Sequence, residues 1–151
     1  MNKYMKMAIK EAEKGIEKGH GGPFGAVIVK NDKVIAKGHN RVLLNNDPTC
    51  HGEVDAIRKA CKKLNTFDLS DCIIYTTGEP CPMCMSAILW ANINKVYYGC
   101  TIKDNEIIGF RDSKFYNVLL NERYKMLNEI DREETLKLFD KHNNIVDKKN
   151  Y

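Results

Sequence analysis

Apolar residues recur along the chain with two different periods, and these periods predict alternating helices and strands. Near the N-terminus the apolar side chains return at helical spacing, so residues 3–18 are predicted to form an amphipathic helix. Two short apolar runs follow at 24–29 and 34–39, joined by Asn31-Asp32, and this pattern predicts a β-hairpin. A polar loop then leads into a second helix, which is predicted to begin near residue 51.

The middle of the chain has the pattern of a strand, a helix and a second strand. Residues 72–77 form a β-branched and aromatic run that predicts a buried strand, and residues 95–99 form another. Between them Pro82 begins a helix that extends to about residue 91, since proline is favoured at a first helical position. This succession predicts a parallel pair of strands joined by a right-handed crossover.

The last third of the chain is less regular. Helical patterns at 114–121 and 133–141 are separated by a short segment at 124–127 that predicts a strand. Together the elements predict an α/β fold, a three-layer α/β/α sandwich built on a mixed five-stranded sheet. No linker-like segment interrupts the 151 residues, so a single domain is predicted over 1–151.

Composition narrows the class of protein. No apolar run approaches the ~20 residues of a membrane span, and the first residues lack the apolar core of a signal peptide. A cytoplasmic location is therefore expected, where the six cysteines would be reduced or bound to metal. The net charge of +4 is modest and does not by itself argue for a nucleic-acid partner.

Two short motifs carry the chemistry. His51-Gly52-Glu53 lies at the predicted start of one helix, and Pro80-Cys81-Pro82-Met83-Cys84 lies at the start of another. One histidine and two cysteines can supply three ligands to a zinc ion, which leaves the fourth tetrahedral position for water. Glu53 is then the candidate proton carrier between that water and a substrate. The motifs therefore predict a catalytic zinc site with His51, Cys81 and Cys84 as ligands.

Each part of this pattern has a simpler interpretation when taken alone. The two cysteines could form a redox pair, and His51 could be a capping or core histidine. Glu53 could be only a favourable charge in a first helical turn. A closed structural zinc site would need a fourth ligand, and the nearby spare thiol is Cys50, whose side chain should diverge from that of His51. The occurrence of all the motif residues together favours the catalytic interpretation.

The two motifs match the H-x-E and P-C-x-x-C signature of zinc-dependent base deaminases. Over nearly its whole length the chain resembles the bacterial guanine deaminases of the cytidine/deoxycytidylate deaminase superfamily. Besides the two motifs, the resemblance rests on segments 21–29, 46–49, 87–91, 109–113 and the terminal 148–151.

The resemblance implies a hydrolase that converts guanine and water to xanthine and ammonia, with one zinc ion per subunit. A zinc-activated hydroxide would attack the base, and Glu53 would shuttle the protons. Asp112 would contact the guanine edge or assist proton transfer. The other implied substrate contacts are Phe24, Asn40, Gly52, Trp90 and Tyr151.

The resemblance also implies a homodimer that exchanges its C-terminal segment, so that Tyr151 would close the partner's site. Local structural roles remain open for the implied contacts. Asn40 could shape the turn after a strand, Phe24 could be strand core, and Asp112 could cap a helix. Trp90 is predicted on the buried side of its helix and could be core alone.

Two positions depart from the pattern of the guanine deaminases beside the metal motifs. Gly52 stands where alanine is usual, and Thr77-Gly78 stands where serine and cysteine are common. Substrate choice is therefore less firmly predicted than reaction type. A tRNA adenosine deaminase is the main alternative, although the acidic start of the last helix argues against RNA binding. Guanosine, cytosine and ammeline are further candidate substrates for the same site.

Overall fold

The computed structural model describes residues 1–122 and 125–147. The chain divides into two compact units, Met1–Tyr116 and Asn117–Tyr151. None of the helices described is long and apolar enough to cross a membrane.

The first unit is built on a mixed sheet. Its four strands are ordered β2-β1-β3-β4. β1 pairs antiparallel with both β2 and β3, whereas β3 and β4 are parallel. The strands are β1 (Gly25–Lys30), β2 (Lys33–His39), β3 (Ile73–Gly78) and β4 (Lys95–Cys100).

The hairpin and the parallel pair arise from the local signals that predicted them. Asn31 and Asp32 both have positive φ angles, 48° and 58°, which is the backbone of the two-residue turn that best matches strand twist. The parallel strands β3 and β4 are connected by the helix α4 (Pro82–Trp90), whose first residue is the proline. The predicted strand–helix–strand unit is confirmed.

Helices cover both faces of the sheet, so the predicted three layers are confirmed. On one face the helix α1 (Lys3–Glu17) packs Tyr4 and Ala8 against β1 and β3. On the other face α4 and the helix α3 (Gly52–Leu64) bury a larger apolar cluster. That cluster is centred on Ile28, Ala56, Ala60, Leu69, Ile74 and Ile88.

Three short helices complete this unit. The helix α2 (Val42–Asn45) follows β2, the helix α5 (Ile102–Ile107) follows β4, and the helix α6 (Asp112–Asn117) begins in this unit and ends at the first residue of the next. Thr101 and Asp104 form a capping box at the start of α5, in which each side chain accepts a hydrogen bond from the other residue's backbone amide.

The second unit is helical where it is described. It contains a π-helix at Val118–Glu122 and the helix α7 (Arg132–Asn143). The prediction of five strands is wrong, because the described residues form four. Residue 124 lies outside the described residues, and residues 125–127 are not in a strand. Residues 125–127 are exposed, and none of the described strands pairs with them.

Candidate metal centre

Two helix N-termini bring the predicted metal ligands together. His51 is the N-cap of α3 and Cys81 is the N-cap of α4, both with extended backbone. The Cys84 amide donates to Cys81 Sγ at 3.5 Å, so the thiol occupies the usual position of a capping side chain. Because α3 and α4 cover the same face of the sheet, their first turns meet.

The geometry of the three side chains fits a zinc ion. Cys81 Sγ lies 3.6 Å from His51 Nδ1, and Cys84 Sγ lies 3.5 Å from the same nitrogen. Sulfur and nitrogen ligands bound to one tetrahedral zinc at ordinary bond lengths would stand about 3.6 Å apart. Among the residues described, these three form the single cluster of candidate metal-ligating side chains.

The electrostatics of the cluster suit a cation. The pKa of Cys81 is lowered to about 4, because the Cys84 thiol and the His51 ring both hydrogen bond to its thiolate. The pKa of Cys84 is raised, chiefly by that same hydrogen bond and by burial. One ligand is therefore ionised in advance, and the second thiol would release its proton when metal binds.

Glu53 lies next to the ligands in an environment that tunes it for proton transfer. Its side chain is 4% exposed, on the first turn of α3. Burial raises the pKa of this carboxyl, since an apolar environment disfavours the charged form. The Cys84 thiol also hydrogen bonds to it. A carboxyl with a raised pKa, beside a site for activated water, is a suitable general base and acid.

The loop before β1 forms a second wall near the motif. The Phe24 carbonyl accepts a hydrogen bond from the Asn40 amide at 2.8 Å. The ring of Phe24 meets that of Phe110 edge to face, with centroids 4.7 Å apart. Asn40 is buried, and its Oδ1 accepts from the Val42 amide at 3.1 Å. Asn40 therefore shapes the turn after β2, as its local interpretation predicted.

Three glycines surround Phe24. A Cβ at Gly52 would lie 2.8 Å from the Phe24 carbonyl oxygen, closer than real Cβ contacts allow. A Cβ at Gly22 or at Gly78 would lie 3.1 Å from carbons on opposite edges of the Phe24 ring. The departures at Gly52 and Gly78 thus have one physical effect, which is to let Phe24 approach the starts of α3 and the Cys81 loop.

Asp112 lies on the same side of the unit as the metal cluster. It is 9% exposed, and Asn105 Nδ2 donates to its Oδ2 at 3.2 Å. Its pKa is raised, first by burial and then by the negative charge of Cys81. Tyr116 holds α6 near the motif, because its hydroxyl donates to the Pro80 carbonyl at 2.9 Å.

Comparison with known proteins agrees with this geometry. Residues 1–100, two thirds of the chain, match the family model of the cytidine and deoxycytidylate deaminase zinc-binding region. The chain belongs to the cytidine and deoxycytidylate deaminase family. It is therefore a zinc-dependent hydrolytic deaminase, and zinc is its cofactor.

Individual relatives of this deaminase include both kinds of enzyme considered above. It is 45% identical to the guanine deaminase of Bacillus subtilis, over 98% of this chain and 97% of the relative. The crystal structure of a guanine deaminase from Bacillus subtilis superposes with a TM-score of 0.93, covering 100% of this chain and 99% of that one. A tRNA-specific adenosine deaminase of Aquifex aeolicus is 44% identical over 66% of each chain.

Two other predicted contacts of the deaminase are Trp90 and Tyr151. The expectation that Trp90 lies on the buried side of α4 is wrong, since its side chain is 64% exposed. Trp90 is the last residue of α4, and at 1.5 Å per residue it lies about 13 Å along the helix axis from the N-cap Cys81. Tyr151 lies outside the described residues. Cys50 is not part of the ligand cluster, and its Sγ instead meets Asp47 and Asn45.

Sequence reasoning missed the polar groups that support the deaminase site. Asn105 and Tyr116 are examples, and the nearest signal was the Thr101–Asp104 capping pattern ahead of Asn105. Sequence reasoning also missed the contacts of the buried His39, whose Nδ1 lies 2.9 Å from Glu11 Oε1 and whose Nε2 lies 2.9 Å from His20 Nδ1. These contacts join distant parts of the sequence, so no local spacing reveals them.

Proposed function

We propose that this deaminase converts guanine and water to xanthine and ammonia. The observation that carries the proposal is the similarity to a guanine deaminase along the whole chain, with the complete set of zinc and glutamate motif residues in place. The tRNA adenosine deaminase of Aquifex aeolicus is similar over a shorter part of this chain.

The proposed mechanism assigns the proton steps to Glu53. Bound zinc, held by His51, Cys81 and Cys84, would lower the pKa of a coordinated water to about 7. Glu53 would accept the water's proton and deliver it to a ring nitrogen of the base. It would then transfer a second proton to the amino group, which departs as ammonia. Burial of Glu53 supports this assignment, because the raised pKa lets the carboxyl hold each proton briefly.

The substrate contacts are assigned to groups around the metal cluster. Phe24 would pack on the purine ring, and Asn40 would offer its side-chain amide. The backbone of Gly52 would approach the base, since the absence of a Cβ brings the Phe24 loop close at this point. Asp112 would accept from the guanine edge or assist proton transfer, which its low exposure and hydrogen bond from Asn105 support.

A homodimer that exchanges its C-terminal segment remains part of the proposal, with Tyr151 closing the partner's site. Its support is the set of large apolar side chains that the second unit leaves exposed. Contact of Trp90 with the purine ring also stays part of the proposal, with its side chain exposed at the end of α4. A single domain over 1–151 and a cytoplasmic location likewise remain predictions.

A substrate panel tests the proposed function. Zinc-loaded protein is incubated with guanine, guanosine, adenine, cytosine and ammeline, and ammonia release is measured with the zinc content determined in parallel. Guanine should have the highest kcat/KM. The absence of guanine turnover at full zinc occupancy would overturn the proposal.

The tRNA alternative has its own arm in this experiment, because a relative with that activity shares 44% identity. Deamination of an adenosine in an anticodon stem-loop, with salt-sensitive binding in a gel shift, would favour it. We expect neither, since Glu133 and Glu134 place acidic charge on the first turn of α7.

A further inference from the structure

Asn105 is a buried polar side chain to which the proposed mechanism gives no role. It lies on α5 with 2% exposure, and its amide nitrogen donates to Asp112 Oδ2 at 3.2 Å. A buried carboxylate without a donor is costly, so this hydrogen bond has a large effect on where the Asp112 side chain rests. With Oδ2 engaged, the carboxylate is restrained in rotation and its second oxygen is restricted in position.

The backbone of Asn105 is itself held in place. Its amide donates to the Thr101 carbonyl at 3.1 Å, and its carbonyl accepts from the Phe110 amide at 3.1 Å. The capping box of Thr101 and Asp104 secures the start of the same helix. Asn105 is thus a rigid support, and the side chain that it contacts begins the next helix, α6.

Gly78 provides the space that the Asn105 side chain uses. A Cβ at Gly78 would lie 3.1 Å from Asn105 Oδ1 and also 3.1 Å from two ring carbons of Phe24. Contacts this short are tighter than almost all real Cβ contacts, so either the amide or the ring would have to move. One missing methyl group therefore accommodates both the support of Asp112 and the wall formed by Phe24.

We infer that Asn105 is a positioning residue that orients the Asp112 carboxylate toward the bound base, and that Gly78 is the gap that permits this arrangement. The inference rests on the proposed role of Asp112 in guanine deamination. It assigns Asn105 no contact with substrate, and it explains the glycine at position 78 by the packing of two side chains.

A double-mutant cycle with Asn105→Leu and Asp112→Asn tests the inference. Leucine has the same number and branching of side-chain heavy atoms as asparagine but cannot donate. Asn105→Leu should lower kcat/KM for guanine about tenfold to a hundredfold, the range for loss of a hydrogen bond to a charged group. The loss should appear in the same parameter, KM or kcat, as in Asp112→Asn. In the Asp112→Asn background the leucine should change kcat/KM by less than about twofold, because coupled residues are not additive.

Matched controls separate this effect from general damage. Glu106→Leu introduces the same side chain at an exposed position of the same helix, and it should leave kcat/KM unchanged. Zinc content and the thermal midpoint are measured for every variant. Equal losses from Asn105→Leu with and without Asp112 would overturn the positioning role. Unchanged guanine turnover in Asp112→Asn would overturn the role of Asp112 and the inference together, while leaving the proposed reaction standing.

Gly78→Ala provides an independent arm that keeps both polar side chains. It should lower kcat/KM for guanine with little loss of zinc, and combining it with Asn105→Leu should lower kcat/KM by less than the product of the two single losses, because both changes act on the position of the Asp112 carboxylate. If Asn105→Leu does not bind zinc, this arm decides alone. A Gly78→Ala variant with unchanged kcat/KM would show that the gap is not needed.

Discussion

The two units of the chain differ in how they cover their apolar side chains. Unit 1, residues 1–116, buries side chains on both faces of its sheet, including Ile28 and Ile88. In the described part of unit 2, residues 117–122 and 125–147, no residue is buried. Leu138 and Phe139 of α7 are 62% and 59% exposed. The first unit is therefore stabilised by its own core, whereas the second needs an external surface.

Local interactions in the second unit are too weak to replace a core. The ion pair between Lys137 and Glu134 is exposed, and such pairs contribute about 0.5 kcal/mol or less. Asp131, the N-cap of α7, makes no side-chain capping bond. Helices of 12 residues are marginal on their own in water. The difference teaches that a helix can be specified by local sequence while its stability depends on contacts elsewhere.

The largest expected effect is on catalysis, because all the candidate metal ligands lie in the first unit. Glu53→Gln should lower kcat by about a thousandfold, within the range for loss of a general acid–base, while zinc content stays the same. The control Glu133→Gln, on an exposed position of α7, should leave kcat unchanged. Steady-state assay with metal analysis checks both. Substantial turnover by the Glu53→Gln variant would mean that another group carries the protons.

The next largest difference between the units should appear when a large apolar side chain is truncated in each. Ile88→Ala removes a side chain with 0% exposure and should lower the free energy of unfolding by about 2–5 kcal/mol. Leu138→Ala, on the exposed α7, should change it by no more than about 0.5 kcal/mol in dilute protein. Denaturant unfolding followed by circular dichroism measures both. Similar losses at the two positions would break the comparison.

Charge introduced into the second unit should weaken self-association. If a second copy covers α7, Leu138→Lys combined with Phe139→Lys should raise the dissociation constant of the dimer by about tenfold or more. Analytical ultracentrifugation over a dilution series measures it, and Lys137→Glu with Lys141→Glu controls for added charge on that helix. An unchanged dissociation constant would show that this surface is not the interface.

The smallest effect concerns helix capping. Thr101→Ala removes the capping box of α5 and should destabilise the first unit by about 1 kcal/mol. Thr135→Ala in α7 loses only a hydroxyl that donates to the Asp131 carbonyl. It should lower the free energy of unfolding by a few tenths of the loss expected for Thr101→Ala. Thermal melts compare the pair. A larger loss at Thr135 would mean that α7 contributes more to global stability than its exposure indicates.

Sequence alone predicted the parts of the molecule that depend on short-range spacing. Cys81 and Cys84 are one helical turn apart, so their convergence follows from the helix, and the Asn31-Asp32 turn follows from backbone preferences. The exposure of Trp90 was mispredicted, because the surface that covers a helix end is set by distant segments. The prediction of a fifth strand was wrong for the same reason, because a strand needs a neighbouring strand and the local sequence pattern does not show whether one is present.

The hydrogen-bonded chain of Glu11, His39 and His20 affects how readily His20 takes up a proton. A carboxylate can only accept, so His39 Nδ1 bears hydrogen, and the facing His39 Nε2 and His20 Nδ1 hold a single hydrogen between them. The two facing nitrogens cannot both keep a hydrogen without a clash, and the pKa of His20 is lowered by burial and by charge on His39. His20 should therefore take up a proton only at a lower pH than a free imidazole does.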